Sequence, residues 1–258
     1  MIKIAICGAA GRMGQAILAQ ALRDKDLTVT GLVEAPSSPL VGKTLQNIPV
    51  RGDVRHVLEK ADVVIDFTAV EATLKNAPLV AKARRALVVG TTGVTGSVRD
   101  RLLKSVRAVP VVLSPNMSLS ANLMFDVAER LSRKLTDYDV EITEVHHNQK
   151  KDAPSGTAMR LAESVKAGRS GARFVFGRQG LVGARKSDEV GVHALRGGDV
   201  VGDHTVFFFG RGERIELVHR VTSREAFAAG AVVAAKWVKG RRPGAYDMRD
   251  VLGLKDRG

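Results

Sequence analysis

Cysteine is nearly absent from this 258-residue chain: Cys7 is the single one. No intrachain disulfide can form, and a lone thiol suits a reducing compartment, so a cytoplasmic protein is expected. Aromatic residues are scarce, at 4% of the sequence, too few for the stacking platforms of single-strand nucleic-acid binders. Acidic residues are in deficit, 27 against 40 basic ones, and the net charge of +13 raises nucleic-acid binding as a candidate role. Yet the basic residues are scattered, apart from short groups such as Arg84-Arg85 and Arg241-Arg242, and no nucleic-acid motif is present. No nucleic-acid partner is therefore expected; the positive field suits a small polyanionic substrate, or simply solubility. Long apolar runs are missing too. The longest, residues 226–238, is broken by Lys236 and is too short for a membrane span. The first seven residues are too few for a signal peptide. The His146-His147 pair has no cysteine or carboxylate pattern around it, so no metal is expected.

What is present begins with a βαβ pattern. An apolar run at residues 2–7 leads into Gly8-Ala-Ala-Gly-Arg-Met-Gly14, then an apolar-faced helix over 15–22 and a second strand over 27–34. That strand ends on Glu34, twenty residues beyond Gly14. Glycines at such a turn let the backbone approach a pyrophosphate resting on the helix N-terminus, while the acid receives the adenosine ribose. The Gly-x-x-Gly-x-x-Gly spacing is a one-residue variant of the dinucleotide fingerprint. A glycine-rich strand-to-helix turn with no ligand is the competing reading, and Glu34 favours the cofactor. Further strands are expected at 61–68, 86–93 and 109–116, with helices at 71–85 and 96–108. Pro78 must then lie in a first turn or kink its helix. Alternating strands and helices imply a doubly wound α/β fold of the Rossmann type, with ligands beyond the carboxyl ends of a parallel sheet.

Near residue 117 the character changes. A helix over 121–134 precedes a strand at 138–145 with period-2 alternation. Then comes Glu144-Val-His-His-Asn-Gln-Lys-Lys-Asp-Ala-Pro-Ser-Gly-Thr157, in which Ser155 is placed to cap a helix running to about 166. Strand, polar loop and helix start put proton donors beside bare backbone N–H groups, an arrangement that protonates one part of a small molecule while holding an anionic part. By itself the segment is also compatible with ordinary turn chemistry. Strands follow at 173–176, 190–195, 205–209 and 214–219, separated by glycine-rich turns, which suggests an open sheet of hairpins in an α+β layout. His193 and His219 read as sheet residues, and 224–239 as a final helix that packs back on the first domain.

These blocks closely resemble the dihydrodipicolinate reductase family, nearly end to end. Gly8–Gly14 resembles its cofactor loop, Asp66-Phe-Thr68 and Gly90-Thr-Thr-Gly93 its next two loops, and the run from Glu144 to Ala158 its signature. Arg196-Gly-Gly-Asp-Val-Val-Gly-Asp-His-Thr205 and Tyr246-Asp-Met-Arg-Asp-Val-Leu252 resemble its later blocks. The resemblance implies hydride transfer from NADH or NADPH to a cyclic unsaturated dicarboxylate on the diaminopimelate route to lysine. It implies His146 as general acid/base, Lys150 as proton donor and carboxylate partner, and His147, Gly156 and Thr157 as substrate-binding residues. The implied cofactor contacts are Gly8, Ala9, Ala10, Gly11, Arg12, Met13, Glu34, Gly90, Thr91, Thr92, Ser114, Pro115, Asn116 and Met117. Two departures stand out. Ser114-Pro-Asn-Met-Ser118 replaces the family's usual Ala-x-Asn-Phe-Ser, and Ala35 follows Glu34 where members using both cofactors often carry a base. NADH is expected to be preferred, because a carboxylate repels a 2′-phosphate; Arg12 softens that preference.

The implied layout is a dinucleotide domain at 1–117 completed by 221–258, with an inserted α+β domain at 118–220 on an open mixed sheet. A hinge that closes on ligands and a homotetramer formed through that sheet are also implied. Phe207 and Phe209 should lie on one face and Phe208 on the other. The residues alone leave two rivals: another two-domain dehydrogenase, and a nucleotide-sensing module without turnover.

Overall fold

Short apolar runs bounded by glycines and polar turns become strands in the computed structural model, which describes residues 1–255. In chain order the first elements are β1 (Ile2–Cys7), α1 (Arg12–Arg23), β2 (Leu27–Val33), β3 (Thr44–Leu45), β4 (Ile48–Arg51), α2 (Arg55–Leu58), β5 (Val63–Asp66) and α3 (Val70–Lys82). Next come β6 (Ala86–Val89), α4 (Gly96–Ser105), β7 (Pro110–Leu113), α5 (Leu119–Lys134), β8 (Asp139–His146), α6 (Gly156–Gly168) and β9 (Arg173–Phe176). The last are β10 (Glu189–Arg196), β11 (Gly202–Phe209), β12 (Arg214–Val221), α7 (Glu225–Val238), β13 (Gly244–Tyr246) and α8 (Met248–Val251). The chain divides into two units, one of Met1–Leu119 with the chain from Arg224 onward, the other Ser120–Ser223.

The first unit is an eight-stranded sheet in the order β13-β7-β6-β5-β1-β2-β4-β3, parallel except where β3 turns back on β4. Its central strands are apolar at nearly every position, Lys3 and Asp66 excepted, because both faces are covered. Ile4, Ile6, Ile65 and Val88 face α1 and α7, whereas Ala5, Cys7, Val64 and Val89 face α2, α3 and α4. Fully burying each such side chain contributes about 1.5–3 kcal/mol for the larger ones, which fixes the strand order from within. The small side chains of α7 permit close approach: a Cβ at Gly230 would stand 1.7 Å from the Met117 carbonyl oxygen. Pro78 lies in the interior of α3, not in its first turn, and the helix runs on to Lys82. The β3–β4 hairpin turns on Gln46 and Asn47, both at positive φ (52° and 62°).

The second unit is a five-stranded mixed sheet in the order β12-β11-β8-β10-β9. It contains one hairpin, β11–β12, and so departs from the expected series of hairpins. β10 runs parallel to both β8 and β9, since α6 carries the chain back across the sheet and the segment 177–188 does so again. Such crossovers are what parallel neighbours require. Along β8 every second residue is buried, and Val140 and Ile142 pack with Val190, Val206 and Phe208 against α5 and α6. The other face carries Glu141, Thr143, Leu195 and Val218, with Phe207 and Phe209 stacked at 5.6 Å. There Glu141 receives Arg178, Arg185 and His193. Gly191, opposite Glu141 in the register, leaves room for that carboxylate: a Cβ would fall 1.8 Å from its oxygen. Among the described residues no helix is long and apolar enough to cross a membrane.

Candidate active site

In the first unit, neighbouring parallel strands end together, so the loops after Cys7, Asp66, Val89 and Leu113 share one edge of the sheet. Gly8 sits at φ +78°, and a Cβ there would press to 2.8 Å from the Phe67 carbonyl oxygen. Gly14 lets α1 start against the loop: its missing Cβ would lie 2.0 Å from the Gly8 oxygen. The Ala10 N–H donates to Glu34 Oε1 at 2.6 Å, and Gln15 Nε2 donates to the Ala10 carbonyl at 2.9 Å. The acid that follows β2 is thus brought against the glycine turn. Gly11 and Arg12 are exposed at the mouth of the turn, while Ala9 is buried and Met13 packs partly on the core.

On the later loops, backbone and side chains divide their tasks. Gly90 has no room for a side chain, since a Cβ would meet the Phe67 ring at 2.1 Å. Thr91 is buried, its hydroxyl 2.7 Å from Thr73 Oγ1, in a group that also holds the buried Asp66 carboxylate; Thr92 is exposed. Ser114 Oγ donates to the Asn116 carbonyl at 2.7 Å, Asn116 Oδ1 accepts the Ser118 N–H at 2.9 Å, and Pro115 is exposed. Met117 is buried in the core, so its side chain is not presented to a ligand and only its backbone remains for one. A glycine cradle that a Cβ would fill, opening a helix beside a carboxylate, fits a dinucleotide. A cavity of about 410 Å³ lined by Leu103, Arg107, Val111 and Gly244 lies towards the opposite, amino ends of β7 and β13 and takes no part in this cradle.

In the second unit, β8 delivers His146 as its last, buried residue. Nδ1 lies 2.5 Å from Glu144 Oε2. Glu144 has no exposure, and also accepts Arg196 Nη1 at 2.8 Å, Arg196 Nη2 at 2.9 Å and the Ser155 N–H at 2.9 Å. Burial pushes its carboxyl up, but the bonds from Arg196, His146 and Ser155 outweigh this and hold it below the usual range. An ionised carboxylate only accepts, so the proton is on His146 Nδ1 and Nε2 is the ring atom left for chemistry. Beyond the strand, the His147 N–H donates to the Val200 carbonyl at 2.8 Å. Lys150 Nζ meets both oxygens of Asp152, at 2.8 and 2.9 Å, and that bond is the main cause holding the Asp152 carboxyl low. Ser155 caps α6 as expected: its Oγ accepts the Ala158 N–H at 3.1 Å. Gly156 and Thr157 therefore occupy the first turn, where backbone N–H groups point out of the helix. Ser155 Oγ is also 3.1 Å from Nε2 of His204, a ring that packs edge-on to His146. Burial pushes His204 down to about 3, and a proton on both nitrogens of His146 would act the same way.

The sequence reading gave no role to Glu144, Arg196, Asp152 or His204. One signal was available for Glu144: the alternation of β8 puts it on the same face as His146. Arg196 sits opposite His146 only because β10 pairs parallel to β8.

A glycine turn and acid on a parallel sheet, with an imidazole and an ammonium at a helix start in a second unit, define a dinucleotide-dependent oxidoreductase. Residues 2–117 match the family model described as dihydrodipicolinate reductase, N-terminus, and residues 120–252 the one described as dihydrodipicolinate reductase, C-terminus. The chain belongs to the dihydrodipicolinate reductase family. It is 48% identical to a 4-hydroxy-tetrahydrodipicolinate reductase of Anaeromyxobacter dehalogenans strain 2CP-C, over 99% of each chain. It is 49% identical to the enzyme of that name from Aquifex aeolicus, over 98% of this chain and 99% of the other. The fold is also that of a dipicolinate-bound dihydrodipicolinate reductase from Paenisporosarcina sp. TG-14, with a TM-score of 0.81 and 23% identity, covering 96% of this chain and 97% of that one.

Proposed function

We propose that this chain is an NAD(P)H-dependent 4-hydroxy-tetrahydrodipicolinate reductase of the diaminopimelate route to lysine. The observation that carries the mechanism is the buried His146–Glu144 pair, on the same strand–loop–helix segment as Lys150 and the start of α6. The nicotinamide, when bound, supplies the hydride. Reduction of a conjugated C=C–C=N system leaves negative charge on the distal atom, and a proton donor there lowers the barrier. His146, through Nε2, and Lys150, through Nζ, are the donors of this chain. The Lys150 ammonium also attracts a substrate carboxylate, which His147 and the N–H groups of Gly156 and Thr157 receive. The test is substitution of His146 and Lys150 by alanine, assayed at the nicotinamide absorbance band with substrate formed in situ. Each variant should lose about 10²-fold or more in kcat while NADH affinity holds. Full activity in both would remove them from the mechanism.

For the cofactor, Gly8 to Met13, Glu34, Gly90 to Thr92 and Ser114 to Met117 are the proposed contacts. NADH is the preferred donor, because Glu34 repels a 2′-phosphate and Ala35 adds no compensating base; the exposed Arg12 moderates the preference. Comparing kcat/KM for the two donors tests this, and a strong NADPH preference refutes it. A homotetramer assembled through the outer face of the second sheet belongs to the same reading, as does a cytoplasmic setting. Stacked Phe207 and Phe209, with Leu195 and Val218 half exposed, give that face apolar area to bury. Light scattering on a Phe207→Glu variant tests the assembly: a smaller species is expected, and an unchanged mass argues against it.

A further inference from the structure

We propose that Glu144, braced by Arg196, is a positioning residue for the reduction. It fixes the tautomer and orientation of His146 and ties that ring to the start of α6, so that proton donor and anion cradle are held as one piece. This rests on the assignment of His146 as proton donor given above. One oxygen of Glu144 accepts His146 Nδ1 (2.5 Å) and Arg196 Nη1 (2.8 Å), and the other accepts the Ser155 N–H and Arg196 Nη2, both at 2.9 Å. Arg196 Nη2 reaches further, to the Asp152 carbonyl at 2.6 Å, and Asp152 is the residue that grips Lys150. A single carboxylate thus connects β8, β10, the signature loop and the cap of α6.

Stability alone is a weak account of this arrangement. A buried ion pair is commonly no better than apolar side chains of the same volume, because desolvation offsets the attraction. What apolar residues cannot do is hold a proton on one chosen ring nitrogen. The groups facing His146 are Glu144 from its own strand, Arg196 from β10, and His204 from β11, the last kept neutral by burial. On the Nε2 side stands Gly202, where a Cβ would come to 3.0 Å from that nitrogen. Glycine there leaves the reactive atom uncrowded.

The test is Glu144→Gln, which keeps shape but cannot accept from all four donors, alongside Glu144→Asp and Arg196→Lys. We expect kcat to fall about 10²-fold or more in Glu144→Gln, as when a histidine is held in the wrong tautomer, with KM within a few-fold and NADH affinity unchanged. Glu144→Asp, which retains the charge, should recover part of the loss. Arg196→Lys loses the two-pronged grip and should lower kcat about tenfold; it carries the test should Glu144→Gln not fold. Ring ¹⁵N shifts of His146 read the tautomer without turnover, and the neutral ring should carry its proton on Nδ1. Parent-like kcat in Glu144→Gln, no recovery in Glu144→Asp, parent-like kcat in Arg196→Lys, or a neutral ring protonated on Nε2, overturns the proposal. A parent protein with the Nδ1–H ring but no turnover of the cyclic dicarboxylate would instead sink the functional assignment on which it rests.

Discussion

Replacing Gly14 by alanine sets two calculable effects against each other. Gly14 is the third residue of α1, and exchanging a helical glycine for alanine gains at most about 0.8–1.0 kcal/mol in propensity. Against this, the new methyl would lie 2.0 Å from the Gly8 oxygen and 2.6 Å from the Ala9 Cα. Both are backbone atoms of the nucleotide turn, so no side chain can swing aside. The helix start must retreat by about 1 Å, and overpacking of this kind costs about 1–3 kcal/mol or more. The steric term wins. We expect net destabilisation of about 1–2 kcal/mol, which lowers Tm by roughly 2–8 °C in a chain of this size. The larger effect falls on ligand binding, because the displaced N–H groups belong to the turn proposed to meet the pyrophosphate. Losing one charge-assisted hydrogen bond of about 1.5–3 kcal/mol weakens NADH binding roughly ten- to a hundredfold. Thermal unfolding without nucleotide and a fluorescence titration with NADH measure the two terms separately. A Gly14→Ala protein that melts higher than its parent and binds NADH equally well would refute the steric account.

Three further outcomes follow from the second unit. Ser155→Ala removes the α6 cap and the partner of His204 Nε2, and should cost about 2–4 kcal/mol in urea unfolding; no change would mean that neither bond matters. Asp152→Asn frees Lys150 from a carboxylate that, on the role proposed for that lysine, competes with substrate. Since Asp152 is 64% exposed, the gain is below about 1 kcal/mol, seen as a KM lowered up to about fivefold, and a raised KM would contradict it. Glu141 is pushed up by burial, but bonds from Arg178, His193 and Arg185 prevail and bring it from 4.5 to about 2. A depressed carboxyl stabilises the fold above its unfolded value and ceases to do so as pH falls through the folded one. The stability difference between the parent and Glu141→Gln should therefore be constant above about pH 5 and shrink towards pH 2; a gap independent of pH would be inconsistent with the shift.

Much of this was legible in the sequence where the signal is local. The glycine turn, the alternation of β8 and the cap at Ser155 each follow from the chemistry of residues a few positions apart. What was hidden depends on pairings across the fold. Arg196 reaches Glu144 over fifty-two positions, and the parallel register that aligns them has no mark in either strand. The β3–β4 hairpin escaped notice because Gln46-Asn47 takes the left-handed conformation without the glycine that usually signals it. Met117 had the look of a loop residue and is a core residue, since α7, more than a hundred positions later, comes down upon it.

The sole thiol offers a built-in gauge of how tightly the nucleotide sheet is shut. Cys7 closes β1 with no exposure, between β2 and β5, and burial raises its thiol well above the ordinary value, with Asp66 and Glu34 adding to the rise. An alkylating reagent can reach it only when that strand is uncovered, and must then find it as a thiolate. The rate at which a maleimide modifies the native protein thus counts openings of the sheet's centre, and NADH should slow that clock in proportion to its occupancy.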